Sequence, residues 1–334
     1  MSAVINLFEA LPRELWLQVI FKELPIKNIM SLKYLSKHLK QLVEEYQTIC
    51  NTHAHINYKY INCISKILPN IEAEVRCSKY ETDKYNCTQL PEFYPIIKHL
   101  RIYHIELEGK LDLTLFENLV SLRLYCNYRH RNSRLVFLLG RMSNMRTLSL
   151  CDINVEINLA LITSLQYLFL DNVINISDIS QLTKLVHLSI VRSVNNSDLS
   201  KLTNLETLVL RSSNNSSNIS GLYKLKDLTI VSCANNSDLS KLTNLRTLVL
   251  CNGEYTSDLS KLTKLYSLTL SGVKNTSDIT KLTKLTSLKI NRSDTRYDLR
   301  PLTHLRHLSL FNCCSDNIVP SHYIKHKYIH CSNH

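Results

Sequence analysis

The sequence predicts an α/β repeat protein: a short N-terminal helical module followed by a solenoid whose units stack into a parallel concave sheet. Three observations carry this reading. Leu182, Leu202, Leu222, Leu242, Leu262, Leu282 and Leu302 recur every 20 residues without a slip, and a fixed period of this length is the mark of stacked repeats. Each is followed by an alternation such as Leu188-x-Ile190 or Leu208-x-Leu210, a short strand with one face turned inward. Ahead of the repeats, apolar residues recur at helical spacing.

Residues 7–45 read as two or three short amphipathic helices. Pro12 sits where a first helical turn tolerates it, Leu15, Trp16, Val19 and Ile20 share one face, and Leu24-Pro25 ends the segment. A second stripe follows in Ile29, Leu32, Leu35, Leu39 and Leu42. So small a module buries little apolar surface, so a partner or the array should cover its face. Residues 46–95, rich in Tyr, Asn and Lys and punctuated by Pro69, Pro91 and Pro95, read as connector and array cap.

Residues 96–314 hold about eleven units, mostly of 20 residues. A second leucine column runs Leu185, Leu205, Leu225, Leu245, Leu265, Leu285, Leu305, and extends back through Leu165, Met145, Leu119 and Ile97. One unit cannot bury its own leucines, but stacked neighbours make a continuous core of them. The return path has no room for a full helix and should be extended or a short 3₁₀ turn. On it, Asp178, Asp198, Asp238, Asp258 and Asp278 precede Lys or Gln by three residues, as side-chain caps of a helical turn do. The column Asn175, Asn195, Asn215, Asn235, Asn275 places short amides at a recurrent bend, where they can satisfy backbone groups of adjacent coils. Residues 315–334 form a His- and Lys-rich tail.

The L-x-x-L-x-L units with their D-[LI]-[ST]-K-L-T-[NK]-L lead-in resemble leucine-rich repeats, particularly the short kind with a flat convex side. One departure is plain: the family's usual Asn three residues after the strand leucine is here Ser193, Ser213, Cys233, Gly253, Val273, Ser293 or Cys313. At the N-terminus, Leu11, Pro12, Glu14, Leu15, Val19, Ile20, Leu24 and Pro25, followed by Leu35, Ser36 and Lys37, resemble an F-box, with Leu39 where F-boxes commonly carry Trp. The bias toward Asn, Ile, Lys and Tyr and the overall layout resemble the F-box/leucine-rich-repeat proteins of giant DNA viruses. The resemblance implies a substrate receptor of an SCF-type ubiquitin ligase. Leu11, Pro12, Leu15, Val19, Ile20 and Leu24 would dock on the SCF adaptor protein and the repeats would hold a target protein. The alternative is a free-standing scaffold for an acidic protein or RNA, its first helices only a hydrophobic cap.

Composition narrows the function further. The net charge is +12, and residues 1–95 carry 11 Lys/Arg against 10 Asp/Glu, so the surplus belongs to the repeats. Solvated lysine rows explain it better than nucleic acid does. No apolar run reaches the length of a membrane span, and Glu9 in a stretch without a positive n-region argues against a secretory signal, so a cytoplasmic or nuclear setting is expected. The 11 cysteines, odd in number and without a framework, then read as free thiols. Asn-x-Ser/Thr sequons such as Asn195-Asn196-Ser197 read as structural rather than glycosylated.

Nucleophile-elbow, zinc-protease and P-loop patterns are absent, so no catalysis and no cofactor are expected. His322, His326, His330 and His334 recur every four residues and on a helix could ligate zinc, but a solvated tail accounts for them as well, and no metal site is assigned. Recognition is expected on the concave face. In the middle units its outward residues are small, for example Thr207, Val209, Thr247, Val249, Ser267 and Thr269. The early units instead present Arg101, Tyr103, Arg123, Tyr125, Tyr167, Phe169 and Asp171, and an insertion between Leu119 and Met145 adds Tyr128, Arg129, Arg131 and Arg134. Aromatic and arginine side chains are common interface anchors, so Arg101, Tyr103, Arg123, Tyr125, Arg129, Arg131, Arg134, Tyr167 and Phe169 are the candidate target-binding residues, with an acidic or phosphorylated protein as their natural partner.

Overall fold

A computed structural model of the chain describes residues 34, 37, 39–43, 54–57, 73–77, 98–105, 109–112, 116, 118–126, 135–138, 142–273, 277–293, 297–313, 318–319 and 324–330. Its centre is a parallel sheet of 14 strands in which each coil contributes one strand and pairs only with its neighbours. Successive strands from Thr147–Cys151 to His307–Phe311 each begin one repeat period after the last. Their register follows the period: Leu188 lies opposite Leu168 and Leu208, and Leu228 opposite Leu208 and Leu248.

The leucine columns are the core. Leu182, Leu185, Leu202, Leu205, Leu222, Leu225, Leu228, Leu242, Leu245 and Leu248 are all fully buried. The return path is as short as the period requires, with 3₁₀ turns at Leu199–Lys201, Leu239–Lys241, Leu259–Lys261 and Ile279–Lys281. Each is capped by the preceding Asp, whose carboxylate accepts from the N–H two residues on. Asp178, Asn218 and Asp298 accept in the same way from Ser180, Ser220 and Arg300.

Hydrogen bonds from the hydroxyl and the backbone N–H of Ser200 hold the Asp198 carboxyl below the usual carboxylate range, and Ser240, Ser260 and Thr280 do the same for Asp238, Asp258 and Asp278. A lowered folded value means that the caps contribute their stability above the unfolded carboxylate value of about 3.9, and lose it as pH falls through the lower folded values. Melting temperature is therefore expected to drop as pH falls below about 4, and an Asp238→Asn, Asp258→Asn chain should show a shallower drop. Identical pH profiles for the two chains would deny the caps that role.

The chain enters left-handed backbone just past the strand at Asp152, Asn172, Arg192, Ser212, Ser232, Arg292 and Asn312, and one residue before the strand's end at Asn252 and Gly272. The bend turns the next N–H onto the following coil: Arg192 donates to the Arg211 carbonyl at 2.8 Å and Ser212 to that of Val231 at 2.8 Å. At the residue after the bend, Ser193 and Cys233 bond in both directions. The Ser193 hydroxyl donates to the Val191 carbonyl at 2.7 Å and accepts from the Val173 N–H at 2.9 Å. The Cys233 thiol does the same toward Val231 and Ser213.

The asparagine column works as the residue types suggest. The Asn215 amide donates to the carbonyls of Asn195 and Ser197, both at 3.0 Å, and its oxygen accepts from the Ser217 N–H at 3.0 Å. Asn195, Asn215 and Asn235 are buried, so a structural role explains these sequon asparagines. In the next coil the column position is Tyr255, whose ring is buried and whose phenol is pushed up to about 12, first by burial.

Within the connector and array cap, Ala54–Asn57 and Ala73–Cys77 are strands of the sheet, and within the tail His326–His330 is the last strand of the order. Of the N-terminal module, residues 37 and 39–43 are helical, and Leu39, Leu42 and Val43 lie in the same buried cluster as the repeat leucines. The adaptor-binding candidates Leu11, Pro12, Leu15, Val19, Ile20 and Leu24 lie outside the described residues.

Candidate functional site: the outward face of the sheet

In the large sheet, the strands from Ser121–Cys126 to His307–Phe311 turn their second and fourth residues inward and offer the first, third and fifth to the concave face, since side chains alternate along a strand. The parallel register then lines up equivalent positions of successive coils, at about 4.8 Å per coil. Register places Arg101 beside Arg123, and Tyr103 beside Tyr125. Arg123 is followed in its row by Ser149 and then Phe169. Tyr125 is followed by Cys151 and Asp171. Tyr167 stands between Thr147 and His187.

The structure thus gathers the candidates into two groups rather than one. Arg101, Tyr103, Arg123 and Tyr125 share two adjacent strands, with Arg101, Arg123 and Tyr125 half-buried. One coil of small residues separates them from Tyr167 and Phe169, which are 37% and 41% exposed, high values for aromatic rings. Arg129, Arg131 and Arg134, with Tyr128, lie outside the described residues.

The second group includes residues that the sequence reading passed over. His187 stacks on Tyr167 at 4.7 Å between ring centroids and 10° between planes. Arg192 forks onto Asp171, with Nη2 at 2.7 and 2.9 Å from the two carboxylate oxygens and Nε at 3.0 Å from one of them. The pair removes Asp171 as a lone negative charge from the edge of the patch. Both signals were present in the sequence: His187 falls one full period after Tyr167, and Arg192 lies just beyond the strand that pairs with Asp171.

The two thiols described on this face are held in their protonated form. The half-exposed Cys151 thiol is pushed up by burial and then by the carboxylates of Asp171 and Asp152, which opposes thiolate formation. Burial likewise raises Cys251. Among the described residues no three His, Cys, Asp or Glu side chains converge to hold a metal ion. On the strand His326–His330 the two end histidines are separated by about 13 Å of extended backbone, too far for one ion. Among the described residues no helix is long and apolar enough to cross a membrane.

The architecture is a parallel-sheet solenoid consistent with a leucine-rich-repeat fold. No family model matches the chain, and no curated protein matches it. Among solved structures it is similar to the functional domain of InlJ from Listeria monocytogenes, at 21% identity and a TM-score of 0.49 over 64% of this chain and 47% of that one. It is similar also to the internalin inlF of the same organism, at 17% identity and a TM-score of 0.45 over 73% of this chain and 89% of that one. A leucine-rich-repeat protein of Leptospira interrogans matches at 18% identity and a TM-score of 0.48, over 74% of this chain and 80% of that one. The chain spans about half the length of the InlJ domain.

Proposed function

We propose that the chain is a non-catalytic protein-recognition scaffold, and more specifically a substrate receptor of an SCF-type ubiquitin ligase. In that reading Leu11, Pro12, Leu15, Val19, Ile20 and Leu24 dock on the adaptor, and the early coils hold the target. The observation that carries the recognition role is the pair of exposed rings Tyr167 and Phe169, set on a sheet whose middle coils present Thr, Val and Ser. Large rings bury much area at small entropic cost and are common binding anchors. Arg101 and Arg123, on the two strands beyond the intervening coil, favour an acidic or phosphorylated target. RNA is disfavoured, because the cations are neither numerous nor continuous along the strands.

The adaptor role is supported by the F-box-like motif and its position ahead of the repeats, and its setting would be the cytoplasm or nucleus, of a host cell if the chain is viral. The second reading, a free-standing scaffold capped by its own helices, is favoured by one observation. Leu39, Leu42 and Val43 are buried in the same cluster as the array core, as a capping helix requires.

One pull-down from expressing cells, read by mass spectrometry, separates these. Each lost apolar anchor in a desolvated contact costs on the order of 2 kcal/mol. Leu11→Ala with Pro12→Ala should therefore lose the adaptor and keep the target, and Tyr167→Ala with Phe169→Ala should do the reverse. A target recovered without any adaptor by the unaltered chain rejects the receptor and leaves the scaffold. Full target recovery by the ring variant rejects the patch.

A further inference from the structure

The outward face is decorated a second time, at its other end. On the last strands of the sheet His307 stacks on His326 with ring centroids 4.9 Å apart and planes 5° apart. Phe311 meets Tyr328 at 5.1 Å with planes tilted by 40°. The Lys289 ammonium lies over the Phe311 ring, 5.5 Å from its centroid. These contacts join three consecutive strands, since register sets Lys289 beside Ser309 and Ser309 beside Tyr328. Tyr328 is 59% exposed, and Lys289 and both histidines are exposed or nearly so.

The charge of this surface is one-sided. No outward position on the strands from Thr247–Gly253 to His307–Phe311 carries Asp or Glu, nor does His326 or Tyr328. The register neighbours of Lys289 are Thr269 and Ser309, so no carboxylate stands beside it in its row. A ring beneath the ammonium orients the cation without neutralising it, which leaves its charge for an incoming anion. The stacked imidazoles and the tyrosine hydroxyl add donors around it.

We propose that Lys289, His307, Phe311, His326 and Tyr328 form a second recognition surface, which takes an extended acidic segment of a protein: carboxylates on the cation and imidazoles, an apolar side chain against Phe311 and Tyr328. Charge complementarity selects this occupant. A nucleic acid would need open ring faces and a row of cations along its phosphates. Here each ring already faces another ring or the ammonium, and Lys289 is the one lysine at the outward row positions of these strands. The surface is independent of the Tyr167 patch, because the six coils from His187 to His307 put about 29 Å between them at ~4.8 Å per strand.

The test uses the full chain carrying Tyr167→Ala and Phe169→Ala, so that the first patch contributes nothing. The probe is a short fluorescent peptide alternating Glu and Phe, followed by anisotropy at low and moderate salt. The chain should bind it, Lys289→Glu and, separately, Tyr328→Ala should each weaken binding about tenfold, and Lys289→Gln should reduce the salt dependence. All three substitutions fall on exposed side chains and should leave the melting temperature unchanged, which is checked in the same preparations. No binding in this background, equal affinity across the variants, or preference for a Lys-Phe peptide or a single-stranded RNA would each overturn the proposal. The outcome does not depend on the adaptor or on the first patch, so it stands or falls apart from the receptor role.

Discussion

Leu228→Asp is expected to unfold the array, whereas Lys241→Ala should leave its melting temperature almost unchanged. Leu228 is fully buried at the centre of the stack, between Leu208 and Leu248 in register, which are themselves fully buried. Replacing it removes a buried leucine, worth about 2–5 kcal/mol in a core. It also puts a carboxylate where the neighbouring rows supply only hydrocarbon, which costs several kcal/mol more or forces the acid to stay protonated. The sum is comparable with the whole stability of an ordinary domain, about 5–15 kcal/mol. Because each coil is held only by its neighbours, a defect at the centre withdraws support from both halves. Lys241 is exposed at the last position of its 3₁₀ turn, where truncation exposes no core. Thermal melts followed by circular dichroism compare the two, and equal stability would contradict the register described above.

The register was legible because it is written twice, once in the leucine columns and again in the acids and amides of the return path. Leu202 and Leu205 announce burial, Asp198 the 3₁₀ cap and Asn215 the bend, each by residue type at a fixed place in the period. The ends of the sheet were not legible for the same reason. The strand His326–His330 puts Lys327 and Ile329 in register with the core positions Leu308 and Leu310. Ile329 is 40% exposed there. A terminal strand has a neighbour on one side only, so it can keep a lysine at a core position, and the leucine signature is lost. The histidines four apart also suited a helix as well as a strand, and pairing decided between them.

The candidate site was half legible. Aromatic and arginine residues stood out by contrast with the plain middle coils, but contrast says nothing about which side chains touch. Tyr167 and His187 meet because they occupy equivalent positions in successive coils, a relation that counting along the period could have supplied. Lys289 and Phe311 meet on a diagonal, out of step with the period, and diagonal partners depend on side-chain length and rotamer as well as register. Tyr255 marks a different limit. It interrupts the asparagine column with a ring whose carbons a Cβ at Gly253 would approach within 2.6 Å, a fit visible only once both coils are in place.

The asparagine column itself gives the second large effect: Asn215→Ala should destabilise the array by about 2–4 kcal/mol, while Asn236→Ala, one coil away, should stay within about 0.5 kcal/mol of the unaltered chain. Asn215 is 1% exposed. Its amide nitrogen serves two carbonyls of the preceding coil and its oxygen holds the Ser217 N–H of its own bend. Alanine removes all three bonds and leaves the Asn195 carbonyl and the Ser217 N–H without that partner inside the bend, while the Ser197 carbonyl keeps one donor. The net worth of an intramolecular hydrogen bond is near 1 kcal/mol, but a buried group left unsatisfied costs about 1–3 kcal/mol, so the losses add toward the upper figure wherever water cannot enter. The Ser217 hydroxyl, which donates to the Ser197 carbonyl at 2.7 Å, offers a partial substitute for one bond and keeps the cost below that of a buried charge. Asn236 is exposed and keeps its water contacts in both states. Urea titrations of the three chains, read at a common slope, measure the difference. If the Asn215→Ala chain unfolds at the same midpoint as the Asn236→Ala chain, the amide ladder between coils contributes nothing and the stack is held by its leucines alone.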